Sequence, residues 1–282
     1  MVERRSILDF IPHLVLLLGI VILAFPVYVA FVASTWDAAT IANGHMPLRP
    51  GPHFLENYYK LLFVGTGSST REPVGVMMLN SLVMAMSIAL GKIAISLISA
   101  FAVVYFRFPF RMAAFWTIFV TLMLPVEVRI YPTYKIVADL NLLDTYAGLT
   151  IPLIASATAT LLFRQFFMTV PDELVEASRI DGAGPMKFFF DTLLPLSITS
   201  IAAMFVIQFI YGWNQYLWPL LITTRDDMQT IVIGIKKMIV TQDALTEWQL
   251  AMATAILAML PPVLVVIVMQ KLFVKGLVET EK

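Results

Sequence analysis

Six long apolar runs alternate with shorter polar stretches along this chain. Each run is close to the ~20 residues that carry a helix across a hydrocarbon core. None has the period-2 alternation of barrel strands, so the pattern predicts an all-α polytopic helix bundle, about six transmembrane helices in a single domain, 1–282. The first run covers 11–34. A cleavable signal peptide would carry an apolar core of only about 7–15 residues, so this run reads as an uncleaved span. Residues 35–76 follow as a Pro- and Gly-rich loop with a short helix near Glu56 to Phe63. Further spans are predicted at about 77–106, 111–132, 147–168, 197–217 and 251–273. Between them lie a tight basic turn at 107–111, a polar connection at 134–146, the stretch 169–195, and a second long segment at 219–250. The Ala/Ser/Thr run ASATAT at 155–160 suits close helix approach, and Pro261-Pro262 predict a kink in the last span.

Composition agrees with this reading. Of 282 residues, 59% are hydrophobic and 13% charged, about half the charge of an average soluble domain. Zero formal net charge implies no nucleic-acid partner. The absence of cysteine excludes disulfides, thiol catalysis and Cys-ligated metal, and His13, His45 and His53 lie apart and suggest no metal site. No phosphate-binding loop is present, since Gly91-Lys92 falls inside a span. Any ATP used must therefore be bound by another subunit. No cofactor is expected. Orientation follows from Lys and Arg near the span ends. Arg4, Arg5, Arg107, Arg111, Arg164, Arg179, Lys187, Lys271, Lys275 and Lys282 fall on one side, ten against the eight of the other. The first group hugs the membrane more densely, which puts both termini and 169–195 in the cytoplasm.

Residues 169–195, TVPDELVEASRIDGAGPMKFFFDTLLP, are charged and punctuated, unlike their surroundings. Thr169 or Val170 is expected to cap a short helix that opens on Pro171, with Asp172 and Glu173 complementing its dipole. Gly182 and Gly184 stop it, Pro185 starts the next helix, and Phe188, Phe189 and Phe190 lead back towards lipid. Glu176-Ala177-Ser178, three residues, Gly182, nine residues, then Thr192-Leu193-Leu194-Pro195 resemble the EAA loop of binding-protein-dependent ABC importer permeases. That pattern is E-A-A, three residues, G, nine residues, I-x-L-P. Ser178 replaces Ala and Thr192 replaces Ile, both mild changes. The resemblance implies that Glu176, Ala177, Ser178, Asp181, Gly182 and Ala183 couple the chain to an ATPase.

Polar groups inside spans are the other candidates. A charge at the bilayer centre costs about 2.5–3.5 kcal/mol. Lys92 is read either as a pathway cation for an anionic solute or as half of a buried pair with Glu127, and Glu127, expected to point inward, is counted with it in the translocation path. Gln208, Asn214 and Gln215 should face other helices or a wet path, because unpaired amides in lipid are costly. Trp218 and Tyr216 read as interfacial aromatics, and Arg129 as a snorkelling anchor. Over nearly everything outside 35–76, segments such as LMLPVEVRIYPTY and FIYGWNQYLWPLLITT resemble the glycerophosphate-importing branch of the maltose-type permease family. The resemblance implies a type I ABC importer permease fold in a bacterial inner membrane. It also implies a heterodimer with a sister permease, two copies of an ABC ATPase and a periplasmic substrate-binding protein. A related sugar or oligosaccharide importer is the alternative. A secondary transporter would show internal repeats, and an intramembrane enzyme would show a catalytic constellation; neither is evident in the sequence.

Overall fold

Helix α4 (Val74–Tyr105) is built inside out. Its buried stripe repeats at helical spacing through Met84, Ala85, Ile88, Ala89, Lys92, Ile93, Ser96, Leu97 and Ala100, and includes polar residues. Its open side carries Leu79, Leu82, Leu90, Ile95 and Ile98. Apolar residues outside and polar ones within suit a helix whose solvent is lipid.

The computed structural model describes residues 10–44, 46–65, 72–121, 124, 126–239 and 247–279, with 126–127 and 273–279 described through the backbone alone. Every regular element among them is helical. Arg4, Arg5, Arg71 and Lys282 lie outside the described residues. Three helices are long and apolar enough to span: α1 (Phe10–Ala33), α4, and α15 (Trp248–Glu279) over Trp248–Leu272. Two bent pairs bring the number to five. The chain divides into two compact units.

The first unit comprises residues 1–76 and 234–260. Most of α1 is bare, and it becomes buried only at Val32 and Ala33. The following segment, read as a loop, is tied back to that end. Asn57 Nδ2 donates to the carbonyls of Ser34 and Trp36, each at 2.9 Å. The Gly51 N–H donates to Thr35 Oγ1 at 2.7 Å, and Trp36 Nε1 donates to the Arg49 carbonyl at 2.9 Å. A Cβ on Gly51 would sit 2.7 Å from the Thr35 carbonyl oxygen, so only glycine lets the strands of this loop approach. Asp37 caps α2 (Ala38–Ala42), which was not foreseen. The helix expected near Glu56 is α3 (Phe54–Tyr59), extended by one π turn to Val64. Lys60 and Glu247 form an ion pair at 3.4 Å.

The second unit comprises residues 77–233 and 261–282. The span expected at 111–132 is two shorter helices instead, α5 (Arg111–Val120) and α6 (Val126–Asp139). Helix α6 carries Arg129, Thr133 and Lys135 and runs on through the expected polar connection, packing Ile130, Tyr134 and Val137 into a core with Met84, Ile88, Leu149, Trp218 and Ile222. The fourth run is broken. Helix α7 (Tyr146–Thr150), with a tighter turn to Leu153, meets α8 (Ala157–Phe167) at 48°. Ala155 and Ser156 form the break rather than a packing face, and the Ser156 hydroxyl caps α8 by accepting from the Ala159 N–H at 3.2 Å. Helix α9 (Asp172–Ile180) precedes a helical stretch over Pro185–Leu196, made of α10 (Pro185–Phe188), a π turn and α11 (Leu194–Leu196). This stretch meets α12 (Ile198–Trp213) at 72°, at buried Ser197. The fifth run therefore ends at Trp213 and resumes as α13 (Leu217–Ile222).

Trp218 is not interfacial. It is buried, with Nε1 donating to the Gly148 carbonyl at 3.2 Å. Helix α14 (Ile231–Ile239) lies within the second long segment, and α15 runs unbroken through Pro261 and Pro262.

Candidate functional site

Residues 169–195 fold as a charged helix, a turn and a return helix. The cap position of α9 is Pro171, at φ −59° and ψ 138°, not Thr169 or Val170. The Thr169 hydroxyl is occupied instead in donating to the Phe166 carbonyl at 2.7 Å. Asp172 and Glu173 fill the first turn and Arg179 the last, each complementing the helix dipole. The end is a Schellman motif. Ala183 N–H donates to the Ser178 carbonyl at 2.9 Å and Gly182 N–H to the Arg179 carbonyl at 3.0 Å. Gly182 sits at φ +74°, the left-handed conformation expected for it.

No residue of α9 is buried. Val175 packs on a core of Phe101, Phe163, Phe167, Phe188 and Phe189. Ser178, Arg179 and Ala183 line a cavity of about 150 Å³ with Phe101, Tyr105 and Phe106. Glu176, Ala177, Asp181 and Gly182 are exposed. Leu174 is exposed beside them, and Ile180 is 86% exposed, which is rare for isoleucine on a self-sufficient surface. The loop is thus anchored on one side and presents charged, small and apolar groups on the other.

The second site is at the middle of α4. Lys92 Nζ donates to Gln208 Oε1 at 3.0 Å and lies 3.6 Å from the centroid of the Tyr211 ring. Gln208 and Tyr211 are three apart on α12 and so share a face. Gln208 thereby meets another helix, as expected. Gln215, just past the end of α12, donates to the Tyr211 carbonyl in the last turn of that helix at 3.2 Å, and Asn214 is exposed at the end of α12. Neither joins Lys92. The side chain of Glu127 lies outside the described residues. Tyr211 was not singled out in the sequence; its spacing from Gln208 is the only signal that pointed to it. Among the described residues no three His, Asp or Glu side chains converge as a metal site would need.

A helix bundle with lipid-facing leucines, broken spans and one anchored but uncovered helix–turn is a polytopic membrane protein. Residues 5–279 match the family of binding-protein-dependent transport system inner membrane components, and the chain belongs to that family. The sn-glycerol-3-phosphate transport system permease protein UgpE of Brucella melitensis is 59% identical over 282 residues, covering all of both chains. The protein of the same name from Rhizobium meliloti is also 59% identical over the full length of both, and that of Yersinia pestis is 57% identical. Among solved structures, a bacterial ABC transporter involved in the import of the acidic polysaccharide alginate superposes with a TM-score of 0.80. It covers 96% of this chain and 99% of its own at 21% identity, which supports the fold. The chain is thus an all-α permease subunit of a binding-protein-dependent ABC importer. It works with a separate ATPase, a substrate-binding protein and a partner permease, and is not itself an enzyme.

Proposed function

We propose that this permease carries sn-glycerol-3-phosphate into the bacterial cell, with glycerophosphodiesters as further candidates. It forms half of the path as a heterodimer with a sister permease, driven by two copies of an ABC ATPase and loaded by a periplasmic binding protein. The observation that carries this reading is the 57–59% identity, end to end, with glycerol-3-phosphate permeases of several bacteria. The chain acts as a single permease domain, 1–282, with both termini cytoplasmic. Residues 169–195 are its coupling loop, on which Glu176, Ala177, Ser178, Asp181, Gly182 and Ala183 engage the ATPase. The uncovered side of α9 supports that role.

The test is uptake by proteoliposomes holding the four components. ATP-dependent accumulation of labelled glycerol-3-phosphate is expected. Accumulation of a neutral oligosaccharide in its place would overturn the substrate. Topology is tested with Thr280→Cys in the natural cysteine-free background; labelling by an impermeant reagent from outside would overturn the orientation.

A further inference from the structure

Lys92 is 6% exposed and lies between two apolar cores, with Met84 and Ile88 on one side along α4 and Ile93 and Leu97 on the other. Among the described residues no carboxylate is within ion-pair distance of it. Its partners among the described residues are an amide oxygen and an aromatic ring, both uncharged. A buried lysine kept only for structure is normally neutralised by a carboxylate, and an apolar residue of similar size would be at least as stable there. A charge held by neutral partners keeps its field, and an ammonium has three donors, of which Gln208 uses one. The ring over it belongs to Tyr211, which is 36% exposed, while Gln208 behind is 5% exposed. The covering group is therefore the one nearest the unit's surface and freest to turn away.

We infer that Lys92 is a stepping site for the phosphate group of the substrate, oriented by Gln208 and covered between passages by the Tyr211 ring. This rests on the phosphorylated substrate proposed above. A phosphate oxygen offers charge-assisted hydrogen bonds to the two remaining donors, a stronger interaction than the cation–π contact it displaces. Lysine suits the task because it binds phosphate as a point charge, without the bidentate fork of arginine. Release is as necessary as binding on a conduction path, and a point charge without a bidentate fork lets the anion go, with the Arg129 guanidinium as the next positive charge near it. When the phosphate leaves, the ring returns and the site is closed to stray anions.

The test is the amount of glycerol-3-phosphate taken up per ATP hydrolysed by the reconstituted importer. Lys92→Met lowers that ratio at least about tenfold, since the charge-assisted hydrogen bonds to the phosphate are lost, while ATP hydrolysis stimulated by the loaded binding protein persists, because the coupling loop is untouched. Lys92→Arg retains at least half of the ratio. Tyr211→Leu, which uncovers the charge without removing it, keeps the ratio or raises it. An unchanged ratio in Lys92→Met overturns the inference, and so does a fall in Tyr211→Leu matching that of Lys92→Met. Failure of both Lys92→Met and Lys92→Gln to assemble, or rescue of assembly by Glu127→Gln, makes the charge structural and also overturns it. A wild-type importer that hydrolyses ATP but takes up no glycerol-3-phosphate refutes the substrate reading instead.

Discussion

Along 172–186 nothing is buried, and Leu174, Ile180 and Met186 stand open beside Asp172, Glu173 and Glu176. Around Lys92, by contrast, the polar contacts run to a distant helix of the same chain. The loop satisfies its backbone locally, through the turn at Gly182 and Ala183, and leaves its side chains unspent. The Lys92 site makes its side-chain contacts at long range and has the Tyr211 ring as its most exposed member. Polar groups that stay open on an anchored helix are available to another protein, whereas polar groups closed inside the bundle serve what passes through it or hold it together. Substitutions in the loop should therefore change activity without changing the fold, whereas substitutions in the bundle should change the fold where they touch packing and transport where they touch Lys92.

The largest effect is expected from Ala177→Asp and Gly182→Val. Ala177 is small and exposed, so an added carboxylate costs the isolated subunit nothing but clashes with a closely fitting partner. A Cβ at Gly182 meets nothing within 4 Å, so its whole penalty comes from φ +74°. That penalty is about 1–2 kcal/mol, and greater for a β-branched residue. Stimulated ATP hydrolysis and uptake should fall together by about tenfold or more, equivalent to at least ~1.4 kcal/mol of coupling, with yield and membrane insertion unchanged. Normal stimulation in both variants would erase the contrast between loop and bundle.

What the sequence made legible follows the same division. The spans α1, α4 and α15 were visible because composition over ~20 residues decides them. The loop was visible because its helix signals and its motif are local, down to the glycine at its end. The breaks at Ser156 and Ser197 were not. An apolar run reads the same whether its helix is straight or bent by 48° or 72°. Residues 35–76 read as a loop because Pro and Gly dominate them, while their order comes from Asn57 and Thr35 reaching across 16 to 23 residues. Trp218 was misread for a similar reason: an aromatic near a span end fits the membrane interface, and only the Gly148 carbonyl 70 residues away shows otherwise. Lys92 was flagged by its cost, but Gln208 lies 116 residues from it and no spacing rule reaches that far.

Within the bundle, Gly212→Val sharpens the comparison from the other side. A Cβ there would lie 2.9 Å from Cα of Ala85, a backbone atom of α4 that cannot yield without moving the helix. Overpacking of this kind costs about 1–3 kcal/mol and should appear as a lower thermal midpoint in detergent and a poorer yield. The control is Gly184→Ala in the loop, where φ is −73° and the space is open, so stability should not change. Equal destabilisation by both would mean that the loop is as tightly determined as the bundle.

Asn80→Ala should be somewhat milder. Its Nδ2 donates to the carbonyls of Asp227 at 2.7 Å and Gln229 at 3.0 Å, and its Oδ1 accepts from the Tyr146 hydroxyl at 2.6 Å. Removal leaves up to three groups unpaired, at about 1–3 kcal/mol with partial relief from water. Tyr146→Phe removes one of these bonds and should cost about 1 kcal/mol. A thermal midpoint unchanged in both variants would show that this end of α4 is held by packing alone.

Asp144 combines features of both regions, since it is half-exposed like the loop yet fully partnered within the chain, and the smallest effect belongs to it. It sits at φ +55° between α6 and α7. Its carboxylate accepts from the Thr224 N–H and the Thr224 hydroxyl, each at 2.6 Å, and from the Arg225 N–H at 3.0 Å. Burial pushes its pKa up, but the hydrogen bonds from Thr224 and Arg225 outweigh it and hold the group below the usual carboxylate value of 3.8. A depressed folded-state pKa means the stabilisation is complete above the unfolded value and is lost as pH falls through the folded one. The latch between 144 and 224–225 should therefore be intact at neutral pH and open only under strong acid. Asp144→Asn tolerates the left-handed backbone but offers one oxygen where three donors share the two of a carboxylate. At pH 7 it should lower the thermal midpoint by only about 2 °C or less, because solvent screens so open a site. The gap between wild type and variant should then shrink as pH drops towards 3. A gap that stays constant across that range would mean the carboxylate charge plays no part in the latch.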